Sequence, residues 1–206
     1  MIHQISNIDI FVRQDWSRVS QTFQHIINKI DRRELDEKAY IENAYGSTFY
    51  SLGNHGGVFE NFNLTDGSPW NTWTGDFLET FLPWCKNLRN VFESSPLDFV
   101  GFSFGRHIDN VKSHIDGKKS GEASQGHCNL NYLVFCENPN SYTYTISPNG
   151  EEQRYYSQSG TAWLLATDVL HGVKNQGIRD VFQLKFFSPF ETVKDWLEDH
   201  PDIFSA

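Results

Sequence analysis

From Leu97 to Phe187 the chain shows no helical period. It reads as short β-rich runs separated by Gly, Pro and Asn: Leu97 to Phe104, Ile108 to Asp116, Cys128 to Phe135, Ser141 to Ile146, Gln153 to Tyr156, Thr161 to Ala166 and Arg179 to Phe187. Strands this short, with no helix to carry the chain back, pair antiparallel and close into a barrel or jelly roll. The last run narrows the choice further. Arg179, Val181, Gln183 and Lys185 fall on one face, Phe182, Leu184 and Phe186 on the other, because strand side chains alternate. If helices cover the apolar face, the polar face lines a cavity rather than meeting water.

The N-terminal part supplies such helices. Trp16, Val19, Phe23, Ile26, Ile27 and Ile30 recur at three- and four-residue steps, with Asp15 as a cap. Asp76 to Phe92 carries a second periodic stretch, which Pro83 breaks near Leu82 so that another helix starts at about Pro83. Ile8, Ile10 and Val12 suit a strand over Asn7 to Arg13, and Asp31 to Lys38 is a solvated charge run. Gly46 to Asn71 reads either as strands with wide turns or as a loop beside a site. Glu191 to Glu198, bearing Val193, Trp196 and Leu197, closes the chain as a short helix. The fold class is thus mainly β, a double-stranded β-helix (jelly roll) with N-terminal packing helices and a short C-terminal helix. One domain over 1–206 is expected, with helical support and first strands in 1–96, the core in 97–189 and the last helix in 190–206.

Composition removes several functions. A net charge of −9 disfavours a protein whose affinity comes from neutralising phosphates, so nucleic acid is an unlikely partner. Cys85, Cys128 and Cys136 form neither a disulfide framework nor a C-x-x-C pair, which suits a reducing interior. No apolar run approaches the roughly 20 residues that span a bilayer, and Met1 to Ser6 lacks the blocks of a secretory signal. A cytoplasmic protein with no membrane partner is expected.

Chemistry concentrates in one order of residues: His114-Ile115-Asp116, then a distant His171, then Arg179. Residues two apart on a strand point the same way, so His114 and Asp116 can reach one ion. Two imidazoles and a carboxylate on one side of a metal suit mononuclear Fe(II), which keeps positions open for O2 and a co-substrate. Arg179 offers a planar, bidentate partner for a carboxylate. A second H-x-D, His107-Ile108-Asp109, competes. The later pair is preferred, because Gly117 and a polar stretch follow Asp116 and place it where a strand opens into a loop.

These residues resemble the iron(II)/2-oxoglutarate-dependent dioxygenase superfamily, in its prolyl-hydroxylase-like and aspartyl-hydroxylase-like branches. The likeness runs from Leu97 to Pro189 through Phe104-Gly105, His114-Ile115-Asp116, Asn131-Tyr132-Leu133, His171-Gly172-Val173 and Arg179. It implies His114, Asp116 and His171 as iron ligands and Arg179 on the distal carboxylate of 2-oxoglutarate. It implies Tyr132 as a hydrogen-bond donor to that carboxylate. Val181 stands where several branches place a hydroxyl residue, with Gln183 as a substitute, and Phe104 stands where several have tyrosine. Asp116 favours the prolyl-like side and argues against a halogenase. The implied reaction consumes O2, decarboxylates 2-oxoglutarate to succinate and hydroxylates a C–H bond of a small molecule or a protein or peptide substrate. Gly53 to Gly57 and Gly117 to Gly126 are candidate lids.

Two other readings stay open from sequence. A cupin-type metal-binding isomerase or binding protein needs the same barrel but no carboxylate clamp. A β-sandwich module that recognises sugar or peptide through Trp70, Tyr155 and Tyr156 needs no metal.

Overall fold

Alternation of apolar residues with Thr, Asn and Gln lets the chain bury both faces of a sheet when each face has something to pack on. The computed structural model describes residues 1–5, 16–17, 20–21, 24, 41–44, 47–52, 87–88, 90–108, 110–116, 128–156 and 158–201. The strands are β1 (Ile2–Ile5), β2 (Ile41–Ala44), β3 (Ser47–Leu52), β4 (Phe99–His107), β5 (Val111–His114), β6 (Cys128–Cys136), β7 (Tyr142–Ile146), β8 (Glu152–Tyr155), β9 (Ala162–Ala166), β10 (Leu170–Lys174) and β11 (Arg179–Phe186), followed by helix α1 (Phe190–Asp199). A seven-stranded sheet runs β1-β9-β6-β11-β4-β3-β2 and a four-stranded sheet runs β5-β10-β7-β8. The pairings are antiparallel, and side chains cross from one sheet to the other, which makes a jelly roll.

The outer face of the large sheet rests on helix. Trp16, within a helical stretch, packs at 5.2 Å on Tyr132 and 5.4 Å on Phe182. Phe92, also helical, packs at 5.3 Å on Phe99 and 5.2 Å on Phe186, and the α1 residue Trp196 joins it at 5.6 Å. Phe182, Leu184 and Phe186 are therefore fully buried. Each is worth roughly 2–3 kcal/mol against exposure. The opposite face of β11 looks inward: the Arg179 guanidinium donates to Thr143 Oγ1 of β7 across the barrel at 2.9 Å. The polar face does line the interior, as the alternation predicts once helices cover the other side.

Two strands differ from the sequence reading. β1 lies at Ile2–Ile5, where it pairs with β9 and covers that edge; the strand expected at Asn7 to Arg13 lies outside the described residues. β10 was not among the predicted runs, because Gly172 interrupts its period. A Cβ there would come 2.5 Å from the Tyr144 hydroxyl oxygen and 2.7 Å from the Val111 carbonyl oxygen, so tertiary packing demands the glycine that hides the strand. The run at Ile108 to Asp116 is strand only over β5, and β4 extends to His107. The charge run at Asp31 to Lys38, the break near Leu82, Trp70, Cys85, Asp109 and both glycine-rich lid candidates lie outside the described residues. Among those described, no helix is long and apolar enough to cross a membrane.

Candidate metal centre and acid pocket

β5 and β10 are neighbours in the small sheet, and their register sets His114 directly opposite His171. Directly opposed residues share a face, so the two rings meet at 4.4 Å between centroids. β5 ends at His114. Two residues on, the Asp116 N–H donates to the Thr167 carbonyl at 3.0 Å, which ties the loop start down and turns the carboxylate toward the rings. Asp116 Oδ1 lies 3.2 Å from His114 Nε2 and 3.8 Å from His171 Nε2. The ligand atoms of the three residues all lie within 4.8 Å of one another.

Hydrogen bonding chooses the tautomers. His114 Nδ1–H donates to the Lys112 carbonyl at 2.8 Å and His171 Nδ1–H to the Val169 carbonyl at 2.9 Å. A carbonyl only accepts, so in both neutral rings Nε2 keeps its lone pair beside Asp116. Backbone orientation of this kind fixes the ring of a metal-binding histidine. Burial raises the Asp116 carboxyl, but the His114 hydrogen bond, His171 and Lys185 outweigh it and hold it at about 2, so it is anionic. Burial lowers His171 below the ordinary imidazole value, and the Asp116 charge only partly offsets this. Burial opposes charge on His114 too, yet once the ring is protonated its Nε2–H donates to Asp116 while Nδ1–H keeps the Lys112 carbonyl, and these bonds raise it overall. Two neutral-capable imidazoles and one carboxylate, converging from one side, fit a divalent transition metal and leave its other side to ligands. His107 ends β4 in the other sheet, opposite Arg179, and is not in this group.

Arg179 is 2% exposed. Its guanidinium lies 5.4 Å from the Trp163 ring centroid and donates to Thr143, and among the described residues no carboxylate pairs with it. Burial pushes it down to about 10, so it remains a cation at neutral pH. Thr143 and Thr145 share a face of β7, and Thr145 is opposite His171. The cation therefore meets the barrel wall roughly 7 Å along the strand from the imidazole row.

Tyr132 requires a correction. It is opposite Phe182 and Ala162, on the outer face, with its ring on Trp16. Asn131 and Leu133, its neighbours in β6, take the inner face. Tyr132 thus points away from Arg179, whatever its place in the chain order. Gln183 does share the inner face and donates from Nε2 to Asn131 Oδ1 at 2.8 Å. Sequence reading missed Trp163 and Thr143, because A-W-L-L-A and Y-T-Y-T-I read as ordinary buried strands. Of the aromatics offered for a recognition module, Tyr155 packs inward on Trp163 at 5.4 Å and Tyr156 is exposed.

Two facing antiparallel sheets make a jelly roll, and two histidines and a carboxylate on its wall form a group that could hold a metal ion. No family model matches the sequence, and no curated protein matches it. Solved structures do match the fold. An oxidoreductase of the 2OG-Fe(II) oxygenase family from Burkholderia pseudomallei shares 9% identity, with a TM-score of 0.50 over 90% of this chain and 83% of its own. EvdMO1 shares 15% identity, with a TM-score of 0.56 over 91% of this chain and 47% of its own, so this chain spans about half the length of that protein. What the chain shares with both is the fold, a jelly roll of two facing antiparallel sheets.

Proposed function

We propose that the chain is an Fe(II)- and 2-oxoglutarate-dependent dioxygenase that hydroxylates a C–H bond of an amino acid, another small metabolite or a protein side chain. The observation that carries this reading is the pairing of a metal-competent triad with a buried arginine that has no acid partner among the described residues, both on the inner wall. His114 Nε2, His171 Nε2 and Asp116 Oδ1 hold the metal, and the Lys112 and Val169 carbonyls keep the rings turned to it. Fe(II), once bound with 2-oxoglutarate, supplies O2 activation and the oxidising power, with succinate and CO2 as co-products. Arg179 takes the distal carboxylate and so aims the other end of the co-substrate at the triad. Leu133, Leu165 and Val181 keep water from this end of the barrel. Asn131 and Gln183 line the wall between. Free Cys128 and Cys136 agree with a reducing, cytoplasmic setting.

The test is succinate formation from 2-oxoglutarate by protein loaded with iron under anaerobic conditions and then exposed to O2, with a panel of amino acids and peptides. Fe-dependent turnover that His171→Ala and Arg179→Ala both abolish is the expected result. Metal binding with an activity that survives Arg179→Ala would assign the chain to the cupin type instead.

A further inference from the structure

The inner end of the barrel around Arg179 is apolar. Leu133, Trp163, Leu165 and Val181 form its buried cluster, with Ile2, Cys136 and Tyr155 packed against it. Two polar groups in this setting have needs that the described residues leave unmet. Arg179 gives an N–H to Thr143 and its face to the Trp163 ring, and finds no carboxylate. Trp163 is 1% exposed, and its Nε1–H has no acceptor among the described residues. Buried indole N–H groups are normally paired, so an orphan beside an unneutralised cation marks a place where an acceptor arrives with a ligand. Thr143 adds a third donor. Its Oγ1 accepts from Arg179, which leaves its own hydroxyl hydrogen to give.

The geometry points to Trp163 and Thr143 as the residues that complete a carboxylate seat with Arg179, a seat that rests on the co-substrate assignment above. Arg179 supplies the charge, while the Trp163 Nε1–H and the Thr143 hydroxyl donate to the same acid group. The indole face also holds the guanidinium in place. Val181, two residues beyond Arg179, has no hydroxyl to give, so the seat takes its neutral donors from β9 and β7 rather than from the strand of the arginine. The ligand it selects is a short dicarboxylate with one acid group at the triad and the other at this end.

Calorimetry on the anaerobic Fe(II) protein separates the donors from mere packing. Two probes are compared: 2-oxoglutarate, and 2-oxopentanoate, which has a methyl in place of the distal carboxylate. Trp163→Phe keeps an aromatic ring beneath the guanidinium and removes the N–H. It is expected to weaken 2-oxoglutarate about tenfold and to leave 2-oxopentanoate unchanged. Thr143→Val, nearly isosteric, should do the same to a smaller degree, and it carries the test if the tryptophan variant does not fold. Equal weakening of both probes, or of neither, overturns the seat. If the wild type does not prefer 2-oxoglutarate to 2-oxopentanoate, the co-substrate reading falls, and glutarate binding to the metal-free protein decides the seat alone. Glutarate bound by the wild type and weakened by Trp163→Phe upholds it as a general acid site; no binding, or binding that the substitution does not change, overturns it.

Discussion

Two buried arginines sit on neighbouring strands of the same sheet and meet opposite fates. Arg106 of β4, on the outer face, is gripped by Asp180 of β11 through two hydrogen bonds of 2.6 and 2.7 Å, and Gln24 also accepts from it. Arg179, also buried, meets a threonine hydroxyl and an indole face on the inner side. Asp180 is the residue next to Arg179 in sequence, yet strand alternation sends its carboxylate to the other face, where it neutralises the other arginine. The same chemical group is thus used once to close a structure and once to leave a charge open. A buried ion pair tolerates loss of both partners but not of one, whereas a lone buried cation is costly until something binds it.

The largest expected effect breaks this comparison on the inner side. Arg179→Met should weaken 2-oxoglutarate binding by at least about 100-fold, since charge-assisted bidentate bonds are the strongest polar contacts available. It should leave stability in urea unchanged or raised, because a buried charge that no carboxylate neutralises among the described residues has gone; marked destabilisation would contradict that state. The outer arginine should behave in the reverse sense. Arg106→Met strands Asp180 and should cost about 3–5 kcal/mol in urea unfolding, while Arg106→Met with Asp180→Leu should recover most of that. A single substitution as mild as the double would refute the closed pair.

A smaller effect concerns how β10 presents His171. Gly172→Ala places a methyl against the Tyr144 hydroxyl and the Val111 carbonyl, and should cost about 1–3 kcal/mol by overpacking. Because Gly172 adjoins His171, metal affinity measured by titration should fall as well. The smallest effect sharpens the distinction between the two faces. Tyr132→Phe removes a hydroxyl on the outer side and should change 2-oxoglutarate affinity less than about twofold. A tenfold loss would show that Tyr132 reaches the inner face after all.

The error over Tyr132 shows what chain order conveys and what it does not. Asn131-Tyr132-Leu133 falls in the expected place between the H-x-D motif and the second histidine, so its position suggested a role. Parity decides the face, and parity between β6 and β11 shifts where the register slips between Asp180 and Val181. That slip sets Arg179 opposite Cys136 and keeps Tyr132 opposite Phe182. Nothing local in the sequence announces it. His171 was legible as chemistry but not as part of a strand, because the glycine beside it answers to Tyr144, a residue from a different strand. Trp163 was legible as core and not as a donor, since an indole reveals an unmet hydrogen bond only when its surroundings are in place.

The sequence by itself determined what short-range periodicity controls: an antiparallel β core, helices with an apolar face to cover it, a two-faced last strand, and residue types suited to holding a metal and an acid group. His114 belongs to this set, whereas Asp116 lies beyond the end of β5 and is turned to the same side by its N–H bond to the Thr167 carbonyl. Tertiary structure alone decided which face looks inward, that His171 lies across from His114, and that Asp180 closes on Arg106 and leaves Arg179 open. Those outcomes depend on register between strands far apart in the chain. Register is set by the packing of whole faces, and a shift of one residue reverses every side chain on a strand.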